Sequence, residues 1–259
     1  MSILQKIVLQ KRIEIASAQK LKSKEFLQEM PLFYRPTLSM SQSIMAEGSS
    51  GIIAEFKRHS PSKKWINQHA DPVEVVKAYA DAGVAGSSVL TDEQFFKGSL
   101  DDLVRVREAV NIPLLRKEFI VDPYQIYEAK ANGADVILLI ASILTPCQVS
   151  SLSEVAHQIG LEVLLELHNE AELGHVNSEI EMIGINNRNL NTFEVDIEQS
   201  ARMVSKLDVK FIKIAESGID SPETISYFRN FGFNGFLIGE NFMKTNNPGQ
   251  ACKNFIQAI

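Results

Sequence analysis

The 259-residue chain holds two cysteines, one tryptophan, and 26 lysines and arginines against 32 aspartates and glutamates, a formal net charge of −6. Each scarcity argues against a class of protein. Cys147 and Cys252 lie far apart and outside any CxxC pattern; a disulfide-stapled scaffold is excluded, and a reduced, cytoplasmic location is the simplest reading. The histidines at 59, 69, 157, 168 and 175 form no HExxH or HxH pattern, so no metal site is expected. No window approaches 18 consecutive apolar residues, and the first twenty contain no uninterrupted apolar segment; neither a membrane span nor a signal peptide is expected. The shortage of positive charge argues against nucleic acid as a partner. It leaves open a small anion held by a few cations in a cleft, because net charge says little about a local field. GxGxxG, P-loop and GxSxG patterns are missing as well, which removes the usual marks of dinucleotide folds and α/β-hydrolases.

What is present is a globular composition, 45% hydrophobic and 22% charged, with enough apolar residues for a sizeable core. Residues 2–20 set Ile3, Leu4, Ile7, Val8, Ile13 and Ile15 among lysines and glutamates near a period of 3.6, which predicts an amphipathic helix. Glu14 and the glutamines dilute the basic face that a membrane-surface helix prefers, so this helix reads as a lid packed on the adjoining domain. Pro36, several serines and Gly48 mark 34–50 as the linker that ends an N-terminal helical extension, 1–50.

From Gly51 to Ile259 short apolar runs alternate with helix-like segments. The runs are 51–56, 85–90, 113–119, 134–141, 161–167, 181–187, 209–215 and 235–239. Asp71-Pro72, Asp122-Pro123, Thr145-Pro146 and Ser221-Pro222 supply helix caps with proline at the first helical position. Gly83, Gly133, Gly160 and Gly232 sit where helices should stop. Alternating strands and helices with near-continuously apolar strands imply a parallel sheet covered on both faces. Eight units favour closure into a (βα)8 TIM barrel (α/β class) with an extra N-terminal helical segment; an open doubly wound sheet is the competitor.

A barrel of this kind carries its chemistry at the C-terminal ends of the strands. In G-I-I-A-E-F-K (51–57), alternation puts Ile53, Glu55 and Lys57 on one face and Ile52, Ala54 and Phe56 on the other. Alone, Glu55 and Lys57 read equally well as a structural ion pair. Lys117 at the end of the third strand, Glu166 on the fifth, and Asn186 with Arg188 at the sixth repeat the pattern, so a shared catalytic mouth is the better explanation. A-E-S-G-I (215–219) and L-I-G-E (237–240) close the last two strands, where barrels bind phosphate on backbone N–H groups and a short extra helix. The loop S-P-S-K-K (60–64) reads as a substrate-gripping segment or as a phosphorylation target, and His168 and Phe96 as neighbours of the site.

Eight segments then carry a family resemblance. They are A-E-F-K-R-H-S-P-S-K (54–63), S-V-L-T-D (88–92) with F-F-K-G-S (95–99), L-R-K-E-F (115–119), E-A-K-A-N-G-A-D-V-I-L-L (128–139), G-I-N-N-R-N-L (184–190), A-E-S-G-I (215–219) and L-I-G-E-N-F-M (237–243). Together they resemble indole-3-glycerol-phosphate synthase of tryptophan biosynthesis. The resemblance implies a lyase that converts an anionic phosphosugar, 1-(2-carboxyphenylamino)-1-deoxyribulose 5-phosphate, into indole-3-glycerol phosphate, carbon dioxide and water without a cofactor. It implies Lys117 as general acid, Glu55 and Glu166 as carboxylates that stabilise the iminium charge or move protons, and Lys57 as a second acid. It further implies that Asn186 and Arg188 position sugar hydroxyls and the carboxylate. Ser60, Ser217, Gly218, Gly239 and Glu240 match phosphate-binding segments, and Phe96 an aromatic wall.

Burial and neighbouring charge are expected to bring a lysine pKa down toward the working pH. Lys64-Trp65 departs from the pattern, since the resembled family commonly has glycine after S-P-S-K, and this bears on the motion of the first loop. A phosphoribosylanthranilate-isomerase-like barrel would need a Cys and Asp pair at strand ends. A silent phosphate-ligand-binding protein would have lost part of the Lys and Glu set. A monomer or weak homo-oligomer is expected.

Overall fold

The computed structural model describes residues 2–188 and 195–259. The four predicted cap dipeptides all open helices: Asp71, Asp122, Thr145 and Ser221 are N-caps with proline at the first position, and the first three accept backbone N–H bonds on their side chains. The four predicted stop glycines take φ between 76° and 89°, a left-handed conformation that ends a helix at little cost only without a Cβ. These signals frame eight strands, β1 (Ile52–Phe56), β2 (Gly86–Leu90), β3 (Leu114–Lys117), β4 (Val136–Ile140), β5 (Glu162–Leu167), β6 (Met182–Asn186), β7 (Ile212–Glu216) and β8 (Gly235–Ile238). They pair in parallel into a closed barrel in the order β1-β8-β7-β6-β5-β4-β3-β2, so closure, and not an open sheet, is the outcome.

Alternation divides the core. Ile52, Ala54 and Phe56 join the layer between strands and helices, while Ile53, Leu115, Val136, Leu164 and Ile214 fill the barrel interior. Among the described residues the helices are α1 (Ile3–Leu21), α2 (Lys24–Glu29), α3 (Met40–Met45), α4 (Pro72–Asp81), α5 (Leu100–Ala109), α6 (Pro123–Ala131), α7 (Pro146–Gln158), α8 (Ile197–Val204), α9 (Pro222–Asn230), α10 (Glu240–Met243) and α11 (Pro248–Ile256). Between β5 and β6 the connection is a 3-10 turn, Glu170–His175, in place of the expected α-helix. Among the described residues no helix is long and apolar enough to cross a membrane.

The segment expected as a plain linker contains α3. Its Met40 and Ile44 are buried in the interior cluster, below strand starts at which glycine leaves room: a Cβ on Gly86 would collide with Met40, and one on Gly235 would lie 3.4 Å from Ile44. The helix starts there because Ser39 caps it, accepting the N–H of Gln42 at 3.0 Å, and Glu162, at the start of β5, anchors its first turn. Its carboxylate accepts the N–H groups of Met40 and Ser41 at 2.8 and 3.0 Å and the hydroxyls of Ser39 and Ser41 at 2.5 and 2.6 Å. Farther along, Asp135 accepts from Arg35 and Arg107 at 2.6 and 2.9 Å. The extension therefore reaches both ends of the barrel, because Ile7 of α1 joins the same interior cluster beside Phe119 and Leu237.

Glu162→Ala removes the partner of the Met40 and Ser41 N–H groups and of both serine hydroxyls, leaving Ser39 to cap α3 alone. Hydrogen bonds to a charged group are worth ~1.5–3 kcal/mol each and are not additive, so a loss of about 3 kcal/mol is expected in urea unfolding. A change below about 1 kcal/mol would reject Glu162 as the anchor of α3.

Candidate active site

On five of the strands the inward residue nearest the C-terminal end is where polarity enters. Glu55 on β1, Lys117 ending β3, Glu166 on β5, Asn186 ending β6 and Glu216 ending β7 all line one pocket. Lys117 is its hub: Nζ lies 3.1 Å from Glu166 Oε2 and 2.7 Å from Glu216 Oε2. Asn186 Nδ2 donates to Glu166 Oε1 at 2.9 Å, and His168 Nε2 stands 3.0 Å from the same oxygen, backed by Glu172. Lys57 Nζ donates to Glu55 Oε1 at 2.6 Å.

Burial works against every charge here, and the neighbours decide which survives. At Lys117 burial would lower the pKa, but the carboxylates of Glu166, Glu216 and Glu55 reverse that and raise it. Burial would raise Glu166, yet Lys117 and then His168 hold it well below the usual carboxylate range. At Glu216 burial prevails, assisted by the negative charge of Glu166 and Glu55 against the attraction of Lys117, and the carboxyl is pushed up to about 7. Among the described residues Glu216 Oε1 has no hydrogen-bond partner. For His168, burial is overcome by Glu166 and Glu172, and the imidazole rises to about 10. Two carboxyls a lysine's width apart are thereby driven in opposite directions, the arrangement that separates an acid from a base.

The rim comes from loops. After β1, His59–Ser60 pairs antiparallel with Lys64–Trp65, and Lys64 turns the chain at φ 58°. That left-handed conformation is what glycine adopts freely, so the departure at this position keeps the turn and adds a Cβ to it. Lys63 and Arg188 each approach Glu240 at 3.5 Å. After β7, Ser217 and Gly218 are both left-handed, at φ 68° and 71°, and Asn187 Nδ2 ties the turn by donating to the carbonyls of Glu216 and Ser217. After β8, Gly239 caps α10, the short extra helix; a Cβ there would lie 2.9 Å from the Cβ of Glu55.

Residues 4–255 match the family model described as Indole-3-glycerol phosphate synthase. The chain belongs to that family. An indole-3-glycerol phosphate synthase of Bacteroides thetaiotaomicron is 49% identical over 257 residues, 99% of this chain and 98% of the relative. One of Polaromonas naphthalenivorans is 41% identical over 253 residues, 96% of each. Among solved structures, tryptophan synthase subunit alpha from Legionella pneumophila superposes with a TM-score of 0.62 at 12% identity, over 85% of this chain and 94% of that one. That likeness is one of barrel fold alone.

The twelve positions to which the resemblance assigns roles all line the pocket: Glu55, Lys57, Ser60, Phe96, Lys117, Glu166, Asn186, Arg188, Ser217, Gly218, Gly239 and Glu240; His168, the other expected neighbour, stands against Glu166. Asn189 and Leu190, the end of the G-I-N-N-R-N-L segment, lie outside the described residues. One expectation needs correction. Lys117 is raised, not lowered, because three carboxylates outweigh its burial. Lys57, Lys117 and Arg188 each face a glutamate, so an anion entering the pocket meets cations whose charge is already shared. Cys147 is exposed on α7 and Cys252 buried in α11, so neither supplies the thiol that an isomerase of the Cys and Asp type would need.

Sequence patterns alone do not single out Glu216, Asn187, the pairing of His168 with Glu166, or the apolar residues Ile3, Leu4 and Ile7 that α1 brings to the pocket. Glu216 does carry a signal: Ile212, Ile214 and Glu216 alternate as Ile53 and Glu55 do.

A carboxyl raised from 4.5 to about 7 binds more protons folded than unfolded between those values. Its contribution to stability is present below pH 4.5 and lost as the pH rises to about 7. The thermal midpoint of the wild type minus that of Glu216→Gln should therefore fall across this window; a difference that rises or stays flat would contradict the assignment.

Proposed function

We propose that this chain closes the indole ring of 1-(2-carboxyphenylamino)-1-deoxyribulose 5-phosphate, releasing carbon dioxide and water and leaving indole-3-glycerol phosphate, in the cytoplasm and without a cofactor. Family membership supports the reaction. The observation that carries the assignment of roles is Lys117, an ammonium held between Glu166 and Glu216 and opening onto the pocket. The two unpaired thiols suit a reducing compartment.

Ring closure joins the carboxylate-bearing ring carbon to the ribulose carbonyl carbon, and the carbonyl oxygen must gain a proton as its bond to carbon weakens. Lys117, kept protonated by its carboxylates, donates it. The attacking ring becomes an iminium cation; Glu55 and Glu166 lie where fixed negative charge favours that cation over the neutral ground state. Loss of carbon dioxide returns the carbon–carboxylate electron pair to the ring and discharges the iminium. Dehydration then needs an acid for the leaving hydroxyl and a base for a proton. Lys57, hydrogen-bonded to Glu55, is the second acid, and Glu55 or Glu166 accepts the proton.

Asn186 and Arg188 orient the sugar and the substrate carboxylate, Phe96 walls the aromatic half, and Ser60, Ser217, Gly218, Gly239 and Glu240 take the phosphate end. Because the nearby cations are already paired, phosphate selection falls largely on backbone N–H groups in the turns after β7 and β8.

Incubation of the purified chain with the carboxyphenylamino substrate should give indole absorbance and fluorescence, and no product would overturn the proposal. Lys117→Ala should lower kcat by at least ~100-fold, the scale of general-acid catalysis; a rate near wild type would remove Lys117 from that role.

A further inference from the structure

Lys11 is a lysine on the inner side of α1 whose side chain is only 4% exposed, and none of the chemistry above uses it. Its Nζ lies 2.7 Å from Asp92 Oδ2, 3.2 Å from Glu118 Oε1 and 2.7 Å from Glu14 Oε2. Asp92 and Glu118 belong to the segments after β2 and β3, and each has a second task. Asp92 Oδ1 accepts the N–H groups of Phe95 and Phe96 at 2.6 and 3.0 Å, shaping the loop that presents Phe96 to the pocket. Glu118, directly after Lys117, accepts the N–H of Phe119 at 2.9 Å and the hydroxyl of Thr91 at 2.9 Å. One and two turns before Lys11, the same helix places Ile7 and Leu4 in the pocket wall. Simple packing of α1 would be served by an apolar residue, because burying an ammonium is costly. A buried charge shared by two loop carboxylates instead fixes one docking position.

We propose that Lys11 is a positioning residue, fastening α1 to the ends of β2 and β3 so that Leu4, Ile7 and Phe96 close together on the apolar half of the substrate. The assignment rests on the function proposed above for its kinetic consequence, but not for its structural one. Lys11 pairs with neither of the partners of Lys117, Glu166 and Glu216, so the effect is expected to fall on substrate binding.

In the full-length chain, Lys11→Met should raise KM for the carboxyphenylamino substrate by about tenfold or more while kcat stays within about threefold, the pattern of lost uniform binding. Lys11→Arg, which offers the same carboxylates a cation, should recover most of that loss. A smaller rise in KM, or a loss confined to kcat, overturns the proposal. Should Lys11→Met fail to fold, amide exchange of the wild type decides: residues 3–11 and 94–98 should open along one shared curve in increasing urea, and separate curves overturn it. If the wild type turns over no substrate, the proposed function fails and the exchange measurement alone judges Lys11.

Discussion

A single ammonium allows the mouth of this barrel to be as polar as it is. Glu55, Glu166 and Glu216 are each no more than 3% exposed, and an ionised carboxylate in such surroundings is tolerated only when paired. Glu55 has Lys57; the other two must share Lys117, and a single positive charge does not neutralise both. Glu166 gains further support from Asn186 and His168 and stays ionised, while Glu216, with less help, holds its proton toward neutrality. The opposite charge states of the two carboxyls follow from that shortage of cations.

Room for these carboxylates is made by residues without side chains. A Cβ on Gly184 of β6 would collide with Glu216, as one on Gly239 would crowd Glu55. The glycine after β8, expected from its dipeptide to serve a phosphate, is required by a side chain on the neighbouring strand β1. The geometry of the mouth depends on what neighbouring strands omit as much as on what they carry.

The parts legible in the sequence are those with local causes. Strand alternation, Asp-Pro and Thr-Pro caps and terminal glycines act over a few residues, and all eight strands lie close to the expected runs. What is obscure depends on distant partners. The helix at 40–45 sits in a serine-rich stretch that reads as linker, and its first turn is anchored by a glutamate more than 120 residues away. Lys11 looks like one more lysine of an amphipathic helix until Asp92 and Glu118 are placed against it. The direction of the Lys117 shift escapes the sequence because two carboxylates are visible there around a pair of lysines; the third, Glu216, sits in a segment whose serine and glycine carry the plainer signal. Between β5 and β6, six residues of 3-10 turn stand where the repeat of strand and helix predicts a helix.

The helix that seals the barrel floor is made early and completed late. Met40 and Ile44 lie in the chain before any strand, yet the interior cluster they join includes Ile214 and Leu237, and the strand start above Ile44 is Gly235. A chain emerging from its N-terminus must carry this apolar pair without its final cover until nearly all the remaining residues exist. Contacts of such sequence separation raise the contact order of the fold. β2 and β5 give α3 its seat through Gly86 and Glu162, and β8 completes the cover over Ile44, so the first segment of the chain and the last strand finish the same floor.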